Sequence, residues 1–191
     1  MLRTLLSIKL LAIILLMISS WSLSANPSDN IEVLVSRSAH TLSVKQGDVT
    51  LSTFKVAFGS GGKKAKLKEG DHTTPKGTYL INKIRDSENF HLFMLLNYPN
   101  MDDAKRALKE GLISRTQYRA ILLAQIEGRL PPQNTALGGS IGIHGIGVET
   151  KDKLEIHRLA DWTKGCIAMR NDEVEALSRY ITQGTKVIIT D

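Results

Sequence analysis

Gly138-Gly139-Ser140-Ile141-Gly142-Ile143-His144-Gly145 and Thr163-Lys164-Gly165-Cys166-Ile167 are the two stretches whose reading decides the fold. In the first, a short apolar run among glycines reads as a buried strand over Ile141 to His144, with a histidine at its end. The second sets the single cysteine of the chain directly after a glycine. Free cysteines are often just small buried hydrophobes, but three local features point to chemistry here. Gly165 permits close backbone approach or an unusual φ angle. Backbone N–H groups near Cys166 are suited to an oxyanion. Lys164 favours thiolate over thiol if its charge points inward. A thiolate nucleophile needs a base, and a strand-end histidine within hydrogen-bond reach completes the pair. The 22 positions from His144 to Cys166 read as a loop long enough to fold back.

Outward from these stretches the pattern is mostly β. Ile31 to Val35 alternates weakly and reads as a strand. Thr41 to Lys45 and Val49 to Phe58 flank a Gln46-Gly47-Asp48 turn, a hairpin signal. Gly59 to Lys76 is rich in glycine and lysine and reads as a long loop, a feature that in compact domains is usually functional or disordered. Thr78 to Ile84 and Phe90 to Leu96 read as further strands. Asn100 to Arg129 changes period. Ala104, Ala107, Leu108 and Leu112 share one helical face, and Tyr118, Ile121, Leu122 and Ile126 another. Ser114 with Gln117 forms a capping-box pattern, and Pro131-Pro132 stops further helix. This is a helical hairpin at about 101–130, either a packed element or a lid over a groove. Asn171 is placed to cap a helix running to about Ile181, Gly184 ends it, and Lys186 to Ile189 closes as a strand.

The chain has 191 residues, 25 basic and 19 acidic, for a net charge of +6. That length fits one domain with a short appendage and buries a core without disulfides or a structural metal. The 42% hydrophobic content excludes a disordered chain. One cysteine excludes a disulfide framework and a zinc site built on several thiolates. The charge is diffuse and points to no nucleic acid. Residues 1–25 combine Arg3 and Lys9 with an unbroken apolar run over Leu10 to Ile18 and the small residues Ser22, Ser24 and Ala25. This reads as a secretory signal peptide cleaved near Ala25. The apolar run is too short to cross a bilayer. Removing it leaves 191 − 25 = 166 residues with a charge of +6 − 2 = +4, a single exported domain over 26–191 with no membrane span. Its one thiol is unpaired in an oxidising compartment.

Among the histidines, His40 and His91 read as structural or surface residues and His72 lies in the lysine-rich loop. The motifs around His144 and Cys166 resemble the L,D-transpeptidase catalytic domain (YkuD-type), in its Gram-negative periplasmic branch. The resemblance rests on Ile143-His144-Gly145 and Thr163-Lys164-Gly165-Cys166-Ile167, with Glu69 to Tyr79, Phe90-His91-Leu92 and Tyr98-Pro99-Asn100 upstream. It spans about Glu32 to Thr190. Two features depart from the pattern: Lys164 stands where many members have histidine, and the interval before Cys166 is longer and contains His157, a rival base.

The resemblance implies a mainly β (α+β) fold, a sandwich-like sheet with the helical hairpin inserted and one helix after the cysteine. It implies a periplasmic, wall-associated enzyme without cofactor or metal. His144 takes the thiol proton, with the Gly145 carbonyl orienting its ring. Cys166 attacks the third-residue carbonyl of a peptidoglycan tetrapeptide stem, D-alanine leaves, and an amine resolves the thioester. Gly165 and Thr163 belong to the oxyanion and substrate-binding region. Arg170 either holds a stem carboxylate or pairs with Asp172 or Glu173. The lysines at 63, 64, 66 and 68 either steer substrate or are simply solvated. The partners implied are stem peptides and, as a second candidate, a wall-attached lipoprotein. Water as acceptor gives a hydrolase of stems or of wall-attached protein with the same site, and a non-catalytic wall-binding domain ranks last.

Overall fold

The computed structural model describes residues 31–191, so the signal peptide expected over 1–25 lies outside the described residues. Eight strands and four helices follow one another there: β1 (Ile31–Ser36), β2 (Thr41–Gln46), β3 (Val49–Lys55), β4 (Gly77–Ser87), β5 (His91–Leu96), α1 (Met101–Lys109), α2 (Arg115–Ile126), β6 (Gly142–Gly145), α3 (Lys151–Leu159), β7 (Ile167–Met169), α4 (Asn171–Ser178) and β8 (Lys186–Thr190). The strands form one mixed sheet in the order β3-β2-β1-β8-β4-β5-β6-β7. The fold is therefore α+β, as expected.

Alternation builds the core. Val33 and Val35 of β1, Leu42 and Val44 of β2, and Val187 and Ile189 of β8 are all buried on one face. Gly47, at φ +58°, turns β2 into β3. The last strand in sequence sits in mid-sheet, parallel to β1 and antiparallel to β4. β4 is shared between two leaves: Gly77–Leu80 pairs with β8, and Ile81 onward pairs with β5 across a register irregularity. The chain beyond β3 then returns to the far edge. Ala57 and Ala168 exchange backbone hydrogen bonds of 2.9 and 2.8 Å, which covers the outer edge of β7.

The helical hairpin is packed into the core through Ala104, Ala107, Ile121 and Ala124. Both halves of the Ser114–Gln117 capping box are present. The Gln125 amide donates to the carbonyls of Asn97 and Pro99 at 2.8 and 2.7 Å, pinning α2 to the chain after β5.

Two expectations are corrected. The interval between His144 and Cys166 is not simply a loop. β6 and β7 are parallel, and parallel neighbours need a crossover, usually a helix; α3 supplies it. Asn171 does not cap α4 either. Arg170 occupies the N-cap, and the helix ends at Ser178 rather than near Ile181. The Asn171 side chain instead grips the turn after β6. Its Oδ1 accepts from the Gly147 N–H at 3.1 Å, and its Nδ2 donates to the Gly147 carbonyl at 2.7 Å. Among the described residues no helix is long and apolar enough to cross a membrane.

Candidate active site

β6 and β7 are buried along their whole length, so each has two covered faces. Ile143, Ile167 and Met169 enter the hydrophobic core. The register pairs Ile143 with Ile167 and His144 with Ala168. Continued by one residue, it sets Cys166 beside Gly142. With a period of two, Gly142 and His144 share the opposite face with Cys166 and Ala168. The parallel pair thus places the histidine and the cysteine on one face of adjacent strands, one diagonal step apart.

His144 is 2% exposed. Its Nδ1 lies 2.7 Å from the carbonyl of Gly145. A carbonyl only accepts, so Nδ1 carries the proton and Nε2 is left as the basic lone pair. Three aromatic rings hold the imidazole. Phe90 is 4.3 Å away between centroids, Phe93 stacks at 5.9 Å with planes 9° apart, and Trp162 stands edge-on at 6.0 Å. Burial in this cage lowers the His144 pKa to about 4, partly offset by the Gly145 hydrogen bond. Gly145 has no room for a side chain, since a Cβ there would lie 2.6 Å from Asn171 Oδ1 and 2.8 Å from the Phe90 carbonyl.

Cys166 is a partly exposed free thiol that donates to the carbonyl of Ser140 at 3.4 Å. Burial pushes its pKa up to about 11, against the pull of the Gly142 N–H and the Lys66 charge. The resting pair is therefore neutral thiol and neutral imidazole. The turn before the cysteine is built by Thr163, itself 4% exposed. Its hydroxyl donates to the Cys166 carbonyl at 2.7 Å and accepts the Gly165 N–H at 3.1 Å. Gly165 sits at φ +127°, and a Cβ there would meet Ile141 Cδ1 and the Thr73 carbonyl, each at 3.0 Å.

The remaining expected residues lie further out. His157, on α3, is half-buried and accepts from the Trp162 indole at 3.3 Å. One indole thus stands between the two histidines. Burial and the Arg170 charge lower the His157 pKa. Arg170 is exposed and pairs with Asp172 at 3.2 Å. Both border a cleft of about 990 Å³ between α3 and the Lys55–Ala57 segment. His40 pairs with Asp161 and His91 with Glu175 at the surface.

Sequence reasoning missed several residues. The aromatic cage was not anticipated, although Phe90 stands in a quoted motif and Trp162 immediately precedes Thr163. In the long loop Lys66 is buried, not solvated, and its ammonium donates to Asp71 at 2.8 Å. Arg37 is 2% exposed and ties that loop to the sheet, donating to the carbonyls of Lys63, Lys64 and Thr74 and to Asp191. Among the described residues, no group of three or more His, Cys, Asp or Glu side chains is placed to hold a metal ion.

Comparison with known proteins bears on the fold and the family. The structure is similar to Bd1075 of Bdellovibrio bacteriovorus, with 21% identity over 85% of this chain and 48% of that one and a TM-score of 0.54. It is likewise similar to the helical cell shape determining protein Pgp2 of Campylobacter jejuni, with 21% identity over 84% and 47% and a TM-score of 0.56. An L,D-transpeptidase of Xylanimonas cellulosilytica matches at 13% identity over 84% and 60%, with a TM-score of 0.50. The chain spans about half the length of the first two, and at these identities the likeness is one of fold. No curated protein sequence matches the chain. The L,D-transpeptidase catalytic domain (YkuD) profile matches residues 30–189, and the chain belongs to that family.

Proposed function

We propose that the protein is a cysteine-dependent L,D-transpeptidase acting on peptidoglycan tetrapeptide stems outside the cytoplasmic membrane. The observation that carries this reading is the shared face of Cys166 and His144, with the imidazole tautomer set by the Gly145 carbonyl. As the thiol attacks the third-residue carbonyl, its proton passes to His144 Nε2. The thiolate is made only at that moment, because both groups rest neutral. The tetrahedral oxyanion is held by backbone N–H groups at the Gly165–Cys166 turn. The Gly165 N–H is engaged by Thr163 at rest, which leaves that of Cys166 as the principal donor. The carbon–nitrogen bond breaks, the imidazolium proton goes to the departing D-alanine amine, and a thioester remains. An acceptor amine then attacks, His144 takes its proton, and the thiol is restored. Arg170, at the border of the cleft, receives a stem carboxylate. An exported protein with a periplasmic, wall-associated site fits both the substrate and the N-terminal signal peptide expected from sequence.

The test is incubation of the purified protein with disaccharide-tetrapeptide, with products read by mass spectrometry. Dimers lacking the fourth-position alanine of the donor support the reading. Tripeptide and free D-alanine alone make the protein a hydrolase with the same nucleophile. Turnover that survives Cys166→Ala sinks both.

A further inference from the structure

The long loop holds an ion pair between a buried lysine and a partly buried aspartate that the reaction above does not use. Lys66 is 4% exposed although its neighbours at 64 and 68 are exposed. Its ammonium donates to Asp71 Oδ1 at 2.8 Å and to the Lys68 carbonyl at 3.2 Å, and it lies 5.8 Å from the centre of the Tyr98 ring. Asp71 in turn accepts the backbone N–H groups of Leu67, Lys68 and Thr73 at 2.7, 3.1 and 3.0 Å. Four donors on one carboxylate are far more than a surface ion pair needs, and they hold the Asp71 pKa down at about 2. A lysine is almost never fully buried unless paired. Burying this pair costs desolvation, and such pairs are poor sources of stability. Its position suggests another use.

The segment it folds forms a wall of the site. The Glu69 N–H donates to the Ala136 carbonyl at 2.9 Å, and Glu69 packs so closely on Gly138 that a Cβ there would lie 3.0 Å from its own. Two residues on, the Ser140 carbonyl accepts the Cys166 thiol. On the other side of the pair, the Thr73 carbonyl lies 3.0 Å from where a Gly165 Cβ would be, and the Thr74 hydroxyl reaches the Cys166 carbonyl at 3.5 Å. The loop therefore borders the cysteine from both directions, and Lys66 is the cation whose charge reaches the thiol.

We propose that Lys66, held in place by Asp71, is a positioning residue for the nucleophile: it fixes the wall on which the Cys166 thiol rests and supplies the buried positive charge that favours the thiolate. The proposal deepens the transpeptidase reading and rests on Cys166 being the nucleophile. The other titratable groups around the thiol are His144 on β6, neutral at rest, and Lys164, exposed in the turn.

The test is the pH dependence of Cys166 alkylation by iodoacetamide on the full chain, a readout that needs no peptidoglycan and so separates failure of this proposal from failure of the reading beneath it. Lys66→Met moves the profile to higher pH, and at pH 8 alkylation slows at least about threefold, as expected for a lost neighbouring cation. Lys66→Arg keeps the wild-type profile within about twofold by the same argument. An unchanged profile in a folded Lys66→Met, or an equal shift in Lys66→Arg, overturns the proposal. Lys66→Gln, which keeps a donor for the Lys68 carbonyl, is the second neutral variant. If neither neutral variant folds, the pair is a stability element and the assignment is overturned.

Discussion

His144 and His157 approach the same indole, Trp162, from two different kinds of structure. His144 stands on a strand clamped between β5 and β7, with its Nδ1 proton given to a fixed carbonyl and its ring inside an aromatic cage. His157 stands on α3, a helix with no fully buried residue, and its Nδ1 accepts from Trp162. A general base needs a ring nitrogen free to take the proton. The Gly145 bond leaves the His144 Nε2 lone pair free, whereas accepting from Trp162 uses the lone pair of His157 Nδ1 and leaves its Nε2 protonated. The difference is the reason the proposed mechanism puts its base on the strand side and treats the helix side as a border.

The largest expected effect tests that division directly. His144→Ala should lower the rate of acyl transfer by about 10²–10⁴, the usual range for a general base. His157→Ala should change it by less than about tenfold. The measurement is thioester formation on tetrapeptide substrate, followed by intact-protein mass. If His157→Ala is the more damaging change, the base is on the helix and the comparison is broken.

Acid should also separate the two sides. The His144 pKa is lowered from 6.5 to about 4, so the unfolded chain binds a proton that the native state refuses. Its contribution to stability is complete above pH 6.5 and is lost as pH falls from 6.5 through about 4. The loss amounts to a few kcal/mol, since one pKa unit is worth roughly 1.4 kcal/mol. Denaturant melts between pH 8 and pH 4.5 should show wild type losing stability relative to His144→Gln across that window. Parallel curves for the two proteins would mean that the imidazole is not buried neutral.

Gly165→Ala comes next. A side chain at φ +127° is strained, and its Cβ would press on Ile141 and on the Thr73 carbonyl. A cost of about 1–3 kcal/mol is expected, read as a fall in Tm, together with slower Cys166 alkylation as the turn shifts. A matching change at Gly184, where φ is +91° but nothing lies within 4 Å, should cost less and leave the alkylation rate alone.

How much of this was visible in the sequence follows from the range of each interaction. His144 and Cys166 stood out because their residue types, next to glycines, are rare and local. Strands with one buried face were legible from alternation, as were both hairpin helices from their 3.6 period. α3 was not, because a crossover helix with no fully buried residue gives no strong apolar stripe; the local hints were confined to its ends, with Thr150 accepting from the Lys153 N–H, Asp152 in the first turn and Arg158 in the last. Asn171 looked like a cap because Asn caps helices, but its amide is spent on Gly147, 24 positions back. Lys66 read as one of a solvated run. Asp71 is only five positions away, but the burial of Lys66 also depends on the Tyr98 ring and on Arg37 anchoring the loop, contacts that no local window contains.

The smallest effect is expected at Arg170, which sits between the two sides. It extends the line of Cys166 and Ala168 beyond β7, yet it borders the cleft together with His157. Its side chain is 52% exposed, and among the described residues its ion pair is with the still more exposed Asp172. Exposed pairs of this kind are worth roughly 0–1 kcal/mol, so Arg170→Ala should leave Tm nearly unchanged. If it receives a substrate carboxylate away from the reacting bond, KM should rise a few-fold with kcat intact, the signature of uniform binding. A fall in kcat without a change in KM would mean that Arg170 acts on the transition state. The reacting centre would then reach across to the helix side, and the line drawn here between the two histidines would have to move outward past Trp162.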